Sequence, residues 1–449
     1  MTPAAVIREP GLWKRGVLWL LLLAPLFFGT YGFANGYTAQ RDDVGSLVFA
    51  WERQIPLWPW TIIPYWSIDL LYGLSFLLPA TRGEMDRHGL RLVTAQVICI
   101  SCFLLWPLRF SFDRPELDGL FGLLFDVLMG FDKPFNQAPS LHITLLVVLW
   151  ACFAHYASGL WKMVLHLWFF LIGLSVLTTW QHHFIDVPTG LLAGFLCLWL
   201  WPSEGRSPLL AWRLARDPKR WRLALRYAFG AVLCSALAIH FGSAALWLLW
   251  PALSLLMVAL NYALFGAKGF QKRADGRLSA SSTWLLAPYL AAAWINSRAW
   301  TRKHPQPDEV ADGVWLGRIP GREEAQNFAA IADLCAELPC RVDGKAYREL
   351  AGLDLIAPSS EHCLQAALAI EDLRRHGPVL VCCALGYSRS ATAIAAWLLH
   401  SGRCRSVAEA VSTLRQAGPQ VVLGSAHLHA LEGLAASSLS TNGGMLHGQ

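Results

Sequence analysis

The chain has 449 residues, is 55% hydrophobic and only 15% charged, and contains 22 tryptophans. A soluble two-domain protein of this length is less apolar and richer in charge, so that class is excluded for most of the chain. The formal net charge of +6 is modest, and its meaning depends on where the charges fall.

Several apolar windows are long enough to cross a bilayer. They predict spans near 16–36, 60–80, 92–110, 139–157, 163–180, 184–203, 226–241 and 244–264, a polytopic α-helical membrane bundle of about eight spans. The first window has no clean small-x-small cleavage site and more spans follow it, so it reads as an anchor, not a removed signal. Residues 37–58 form an outer segment, followed by the aromatic belt "WPWTIIPYWS". Residues 111–138 form an outer loop in which "LDGLFGLLFDVLMGF" predicts a helix on the membrane surface. The inner loops hold about 18 Lys and Arg and the outer loops about five, namely Arg41, Arg53, Arg109, Arg114 and Lys133. The basic stretch "RLARDPKRWRLALR" therefore reads as a juxtamembrane loop, with no nucleic-acid partner implied. The expected location is a bacterial inner (plasma) membrane, multi-pass, with the C-terminal part cytosolic. No cysteine falls in an outer loop and none has paired spacing, which also fits a reducing compartment. After the last span, "WLLAPYLAAAWINSRAW" is too short to span comfortably and reads as a tether along the inner surface.

From about residue 305 the pattern becomes that of a soluble α/β domain. "GVWLGRI" alternates like a strand, "EEAQNFAAIADLCAEL" reads as helix, and "SEHCLQAALAIEDLRRHG" as an amphipathic helix stopped by glycine. "PVLVCC" is a buried strand, "SATAIAAWLLHSG" a buried helix, and "SVAEAVSTLRQAG" a further helix with a serine cap. The tail "SSLSTNGGMLHGQ" reads as disordered.

In "VLVCCALGYSRS" the strand runs through a tight turn into the helix, with Cys383 and Arg389 six positions apart. Inward-pointing amides of Ala384, Leu385, Gly386, Tyr387 and Ser388, with the helix N-terminus, would form an anion cradle. The same field favours a thiolate at Cys383, and the Arg389 fork suits two phosphate oxygens. A thiolate attacking phosphorus gives a phosphocysteine that water hydrolyses. Here the sequence resembles the dual-specificity branch of the protein tyrosine phosphatase superfamily over about 305–436, through Cys383, Arg389 and Ser390. The resemblance implies that Ser390 helps the thiol leave and that an upstream aspartate is the general acid. Asp354 in "LAGLDLIAPSS" stands 29 positions before Cys383 and takes that place. Cys382 stands where this family usually has histidine. It would be a small buried residue or a protective disulfide partner of Cys383.

A second constellation is "APSLHI" at 138–143 with "TTWQHHFIDVPTG" at 178–190, both at outer ends of spans. His182 and Asp186, four apart, can share a helix face, so that the carboxylate fixes the imidazole tautomer. His142 on the neighbouring span could donate a proton to a leaving group, and histidine in a membrane helix is costly unless it is functional. These residues resemble the type 2 phosphatidic acid phosphatase superfamily, a six-span bundle, over about 60–204. They most resemble its branch of inositolphosphorylceramide and sphingomyelin synthases. The resemblance implies His182 as nucleophile, His142 as acid and Asp186 as orienter, with His183 where an aromatic is common. Only Arg114-Pro115 survives of the first motif, and Val176 stands where the third motif has arginine. Phosphate would then rely on Arg114, Lys133 and amides near Ser140, which fits head-group transfer better than monoester hydrolysis.

The expected organisation is an N-terminal span and outer segment (1–59), a membrane domain (60–204), a basic loop with two spans and a tether (205–303), the cysteine domain (304–437) and the tail (438–449). The expected function is a bifunctional membrane phosphatase or phosphotransferase acting on lipid phosphates, without cofactor or metal. A membrane-anchored phosphatase for phosphoproteins is the alternative.

Overall fold

The structure is a computed structural model that describes residues 8–443. The chain divides into two compact units between Ala211 and Trp212. The first unit is helical: α1 (Leu12–Ala39), α2 (Ile62–Ser75), α3 (Arg82–Leu105), α4 (Gly119–Phe131), α5 (Leu141–Tyr156), α6 (Gly159–Thr178), α7 (Asp186–Leu200) and a single turn α8 (Pro208–Ala211). Its core joins Tyr31 of α1, Leu92 and Phe103 of α3, Val148 of α5 and Ile172 of α6.

Five helical segments among the described residues are long and apolar enough to cross a membrane: Leu12–Ala39, Arg82–Leu105, Gly159–Thr178, Pro218–Phe241 and Ser243–Phe270. This is fewer than the eight expected. Leu141–Tyr156 and Asp186–Leu200 are apolar but shorter. The span expected at 92–110 begins ten residues earlier, because Thr81 caps α3 by accepting from the Glu84 amide. Arg82, Arg87 and Arg91 are thus helical rather than in a loop, and Arg91 donates to the Trp201 carbonyl (2.8 Å).

The contact that shapes the first unit is between α5 and α7. A Cβ at Gly190 would lie 2.8 Å from the Ser140 carbonyl oxygen and from the Ile143 Cβ, and one at Gly194 would lie 2.6 Å from the Val147 Cβ. Only glycine at these two positions lets the helices approach this closely. Thr144 Oγ1 completes the seam by donating to the Gly190 carbonyl (3.2 Å).

The second unit opens with a helical hairpin, α9 (Pro218–Phe241) and α10 (Leu249–Leu260). A π turn (Asn261–Phe265), α11 (Ala280–Leu285) and α12 (Ala287–Trp300) follow. The α/β part comprises β1 (Asp308–Ala311), β2 (Val314–Arg318), α13 (Arg322–Gln326), β3 (Ala330–Cys335), β4 (Ala346–Gly352), α14 (Ser360–Leu373), β5 (Val379–Cys383), α15 (Arg389–His400), α16 (Val407–Ala417) and α17 (Ser425–Gly443). The sheet order is β1-β2-β5-β3-β4; β1 is antiparallel to β2 and every other pair is parallel.

Two expectations are corrected. "EEAQNFAAIADLCAEL" is a short helix followed by strand β3, not one helix. All six residues of β3 are buried. A strand covered on both faces carries no alternation, and a short apolar run then looks the same as a buried helix. The tail from Ser437 to Gly443 continues α17 instead of being disordered, and residues 444–449 lie outside the described residues.

The segment between the π turn and α11 is fixed to the sheet. Lys272 Nζ pairs with Asp333 of β3 at 2.5 Å, both side chains fully buried, and donates to the Cys335 and Leu338 carbonyls. The Cys340 amide donates to the Gly276 carbonyl (2.8 Å), at a turn where φ of Gly276 is +76°. Lys272→Met should destabilise the unit by about 3–5 kcal/mol, because Asp333 is left buried without a counter-charge. Thermal unfolding of the detergent-solubilised protein would show this as a lowered midpoint.

Candidate functional site

After β5 the chain turns directly into α15, and the turn closes around one sulfur. The Gly386 amide donates to Cys383 Sγ (3.2 Å), and Ser390 Oγ donates to the same atom (3.3 Å). Helix α15 begins at Arg389, so the positive end of its dipole meets the turn. Gly386 has φ +82°, and a Cβ there would lie 2.7 Å from the backbone of Gly317. The turn is braced from outside. Ser297 Oγ of α12 donates to the Ala384 carbonyl (2.5 Å), Tyr387 Oη donates to the Trp300 carbonyl (3.0 Å), and Ser388 Oγ meets His427 Nε2 (3.0 Å).

Arg389 is only 6% exposed. Its Nη1 and Nη2 donate to the two oxygens of Glu337 (2.9 and 2.6 Å), and Nη1 also donates to the Gly352 carbonyl (2.8 Å). Asp354 Oδ1 lies 3.1 Å from Nη2. The structure therefore brings Cys383, Ser390, Arg389 and Asp354 together, with Glu337 added. Sequence reading misses Glu337; its one signal is an acid just past an apolar run, in "LCAELPC". Burial works against the charge of Glu337, but the Arg389 guanidinium outweighs it and holds this carboxyl below its ordinary range. Burial raises the Asp354 carboxyl; Arg389 opposes that rise and Glu337 adds to it. Cys382 is fully buried beside Cys340 and Leu380, on the sheet face opposite the cluster that holds Cys383. Successive strand residues point to opposite faces, so the space-filling reading of Cys382 fits and the disulfide with Cys383 does not.

In the first unit His182 Nδ1 meets Asp186 Oδ2 at 3.0 Å, and His182 Nε2 meets Ser140 Oγ at 3.1 Å. His182 sits in the turn before α7, not on the helix; Asp186 is the first helical residue. Ser140 is the N-cap of α5, its hydroxyl accepting from the Ile143 amide (3.3 Å). The α5–α7 seam thus delivers one helix start from each side. His142, the second residue of α5, stacks on Tyr65 with ring centroids 4.2 Å apart. Its Nε2 has no hydrogen-bond partner among the described residues.

The expected phosphate ligands fare unequally. Arg114 donates to the carbonyls of Thr179 (3.1 Å) and Trp180 (2.9 Å), just before His182. Lys133 is exposed, whereas its neighbour Asp132 accepts from Tyr31 (2.6 Å) and Tyr65 (3.2 Å). Val176 is fully buried against Ile62, Tyr65 and Ile143. His183, which in the sequence is only a departure from a family pattern, has partners of its own. Its Nδ1 meets Glu52 (2.9 Å), and its Nε2 accepts from the Ser111 amide (3.1 Å). It ties the segments carrying Glu52 and Ser111 to the turn that carries His182.

Comparison with known proteins follows this division. The PAP2 superfamily model matches residues 72–204, and the model for the dual specificity phosphatase catalytic domain matches residues 358–434. The second match begins after Asp354 and Glu337. No protein among the curated ones matches the chain. Similar solved structures include Tk-PTP in the active form (29% identity, TM-score 0.27), a point variant of human DUSP28 (20%, 0.29) and PTPMT1 in complex with PI(5)P (18%, 0.28). Each match covers 30% of this chain and 98–99% of the other. The two family matches support a phosphatase with a lipid-phosphatase-like part and a tyrosine-phosphatase-like part. With the apolar helices they point to a multi-pass membrane protein.

Glu337→Gln should cost about 3 kcal/mol, because it removes the buried bidentate counter-charge of Arg389 and leaves only the partly exposed Asp354 carboxylate beside it. A carboxyl whose folded value is depressed stabilises the fold above its unfolded value, and that stabilisation is lost as pH falls through the folded value. Acid unfolding followed by tryptophan fluorescence should therefore show a shallower acid limb in the variant.

Proposed function

We propose that the chain is a bifunctional membrane phosphatase or phosphotransferase acting on phospholipids or related polyprenyl phosphates. The observation that carries the reading is the convergence on Cys383 Sγ of two hydrogen-bond donors, with Arg389 and Asp354 paired beside the same turn. The sulfur attacks phosphorus, the P–O ester bond breaks, and Asp354 gives its proton to the leaving oxygen. Water, losing a proton to Asp354, then attacks the phosphocysteine, and Ser390 donates to the departing sulfur. The amides of residues 384–388 and Arg389 hold the phosphoryl oxygens. No metal or cofactor enters this scheme.

At the membrane site, Asp186 holds the Nδ1 proton of His182 and leaves Nε2 as the attacking atom. A phosphohistidine forms while His142 protonates the leaving group, and water or an alcohol then accepts the phosphoryl group. Arg114 and Ser140 bind phosphate, with Lys133 assigned a weaker role because it is exposed. In this reading α2, α5 and α7 also cross the bilayer, giving eight spans. The loop charges set the histidine site outward and the cysteine site in the cytosol, in a bacterial inner membrane.

A second reading has two specific supports: Val176 fills the place of a phosphate-binding arginine, and the Arg114 guanidinium is engaged by two carbonyls. The membrane half is then an anchor or lipid sensor, and the cysteine site serves phosphoproteins.

Assays of the full chain in lipid micelles separate these readings. Cys383→Ser should abolish one lipid phosphatase activity and His182→Ala the other; full activity in the double variant refutes both sites. Phosphopeptide turnover with no lipid turnover favours the second reading. Asp354 acts only when protonated, and burial raises its value. Turnover by the cysteine site should therefore fall as pH rises through that raised value, and Asp354→Asn should erase this alkaline limb.

A further inference from the structure

Asp354 lies in a short loop between β4 and α14 whose backbone makes few bonds of its own. Leu355 is in the left-handed region (φ +60°), which a leucine adopts only at a cost of roughly 1–2 kcal/mol. Its side chain is more than half exposed, so its own packing does not stabilise that conformation. Within the loop the Ile356 amide makes only a long bond to the Leu353 carbonyl (3.4 Å).

A further hold on the loop backbone comes from the helical hairpin. Tyr262, 1% exposed, donates its hydroxyl to the backbone carbonyl of Asp354 itself (3.0 Å). Tyr262 lies in the π turn that follows α10, where an extra residue per turn redirects the side chains. Its ring stacks on Tyr227 of α9 (5.5 Å, 21° between planes), and its carbonyl accepts from Arg220 Nε (2.8 Å). Arg220 and Tyr227 belong to one helix and Tyr262 to the end of the other, so both arms of the hairpin hold the phenol.

We propose that Tyr262 is a positioning residue for the cysteine site: its hydroxyl holds the backbone of Asp354 where the carboxyl can reach the leaving oxygen. The inference rests on the assignment of Asp354 as general acid. It extends the site to a membrane-type hairpin outside the matched phosphatase region of 358–434. Substrates with a poor leaving group need the acid, whereas an aryl phosphate with an acidic phenol does not.

The test uses the full chain carrying His182→Ala, so that only the cysteine site turns over. Rates are measured on a short-chain phosphatidic acid, whose leaving group is an alkoxide, and on difluoromethylumbelliferyl phosphate. Tyr262→Phe keeps the stacked ring and removes only the hydroxyl. It should lower kcat on the lipid phosphate about five- to tenfold, the worth of one hydrogen bond, and change the aryl phosphate rate by less than about twofold. Asp354→Asn should show the same selectivity with a larger loss. If Tyr262→Phe lowers both rates equally, or neither, while Asp354→Asn remains selective, the positioning role is overturned and the acid assignment stands. If Asp354→Asn is not selective, the acid assignment falls and takes this inference with it.

Discussion

A guanidinium buried without an anion would cost the fold more than most single contacts return, and this constraint organises the second unit. Arg389 is answered by Glu337 at the end of β3, by the Gly352 carbonyl at the end of β4, and by Asp354 just beyond it. The sheet order places β5, which leads to Arg389, directly beside β3, with β4 on the far side of β3. The cation thus draws the ends of three neighbouring parallel strands to one point. That is where an open α/β sheet offers a ligand site, beyond the carboxyl ends of its strands.

The first unit meets an analogous demand by different means. Its imidazole is oriented by a carboxylate four residues ahead, and both side chains are buried. The orientation depends on how closely two helices approach, which Gly190 and Gly194 permit. A larger residue at either position would part α5 from α7 and draw Ser140 away from His182. Glu52 and His183 add a second buried acid–imidazole pair next to the first. This pair holds segments that the apolar pattern alone would leave as loose outer loops.

Much of this is legible in the sequence, for identifiable reasons. Long apolar runs announce themselves: α1 and α6 fall where hydropathy puts them, whereas α9 starts at Pro218, inside the basic stretch read as a loop, because Asp217 caps it by accepting from the Lys219 amide. The Cys383–Arg389 turn is readable because it is local: strand, turn and helix are consecutive. Asp354 can be found only by analogy of spacing. Glu337 and Tyr262 cannot be found that way, because their partners lie 52 and 92 residues away. Strand β3 is hidden because complete burial removes the alternation that marks a strand. Charge alone favours Lys133 over its neighbour Asp132, yet it is Asp132 whose side chain is taken up by Tyr31 and Tyr65.

The buried Lys272–Asp333 pair has a bearing on kinetics. It lies between the end of an apolar segment, Ser243–Phe270, and the central sheet, so the phosphatase-like part is not a ball on a flexible string. Under the proposed function, with the segment in a bilayer and a lipid as substrate, an enzyme fastened this way searches in two dimensions. Its encounter rate follows the surface density of the substrate, and diluting that substrate with inert lipid slows it even when the amount per volume is unchanged.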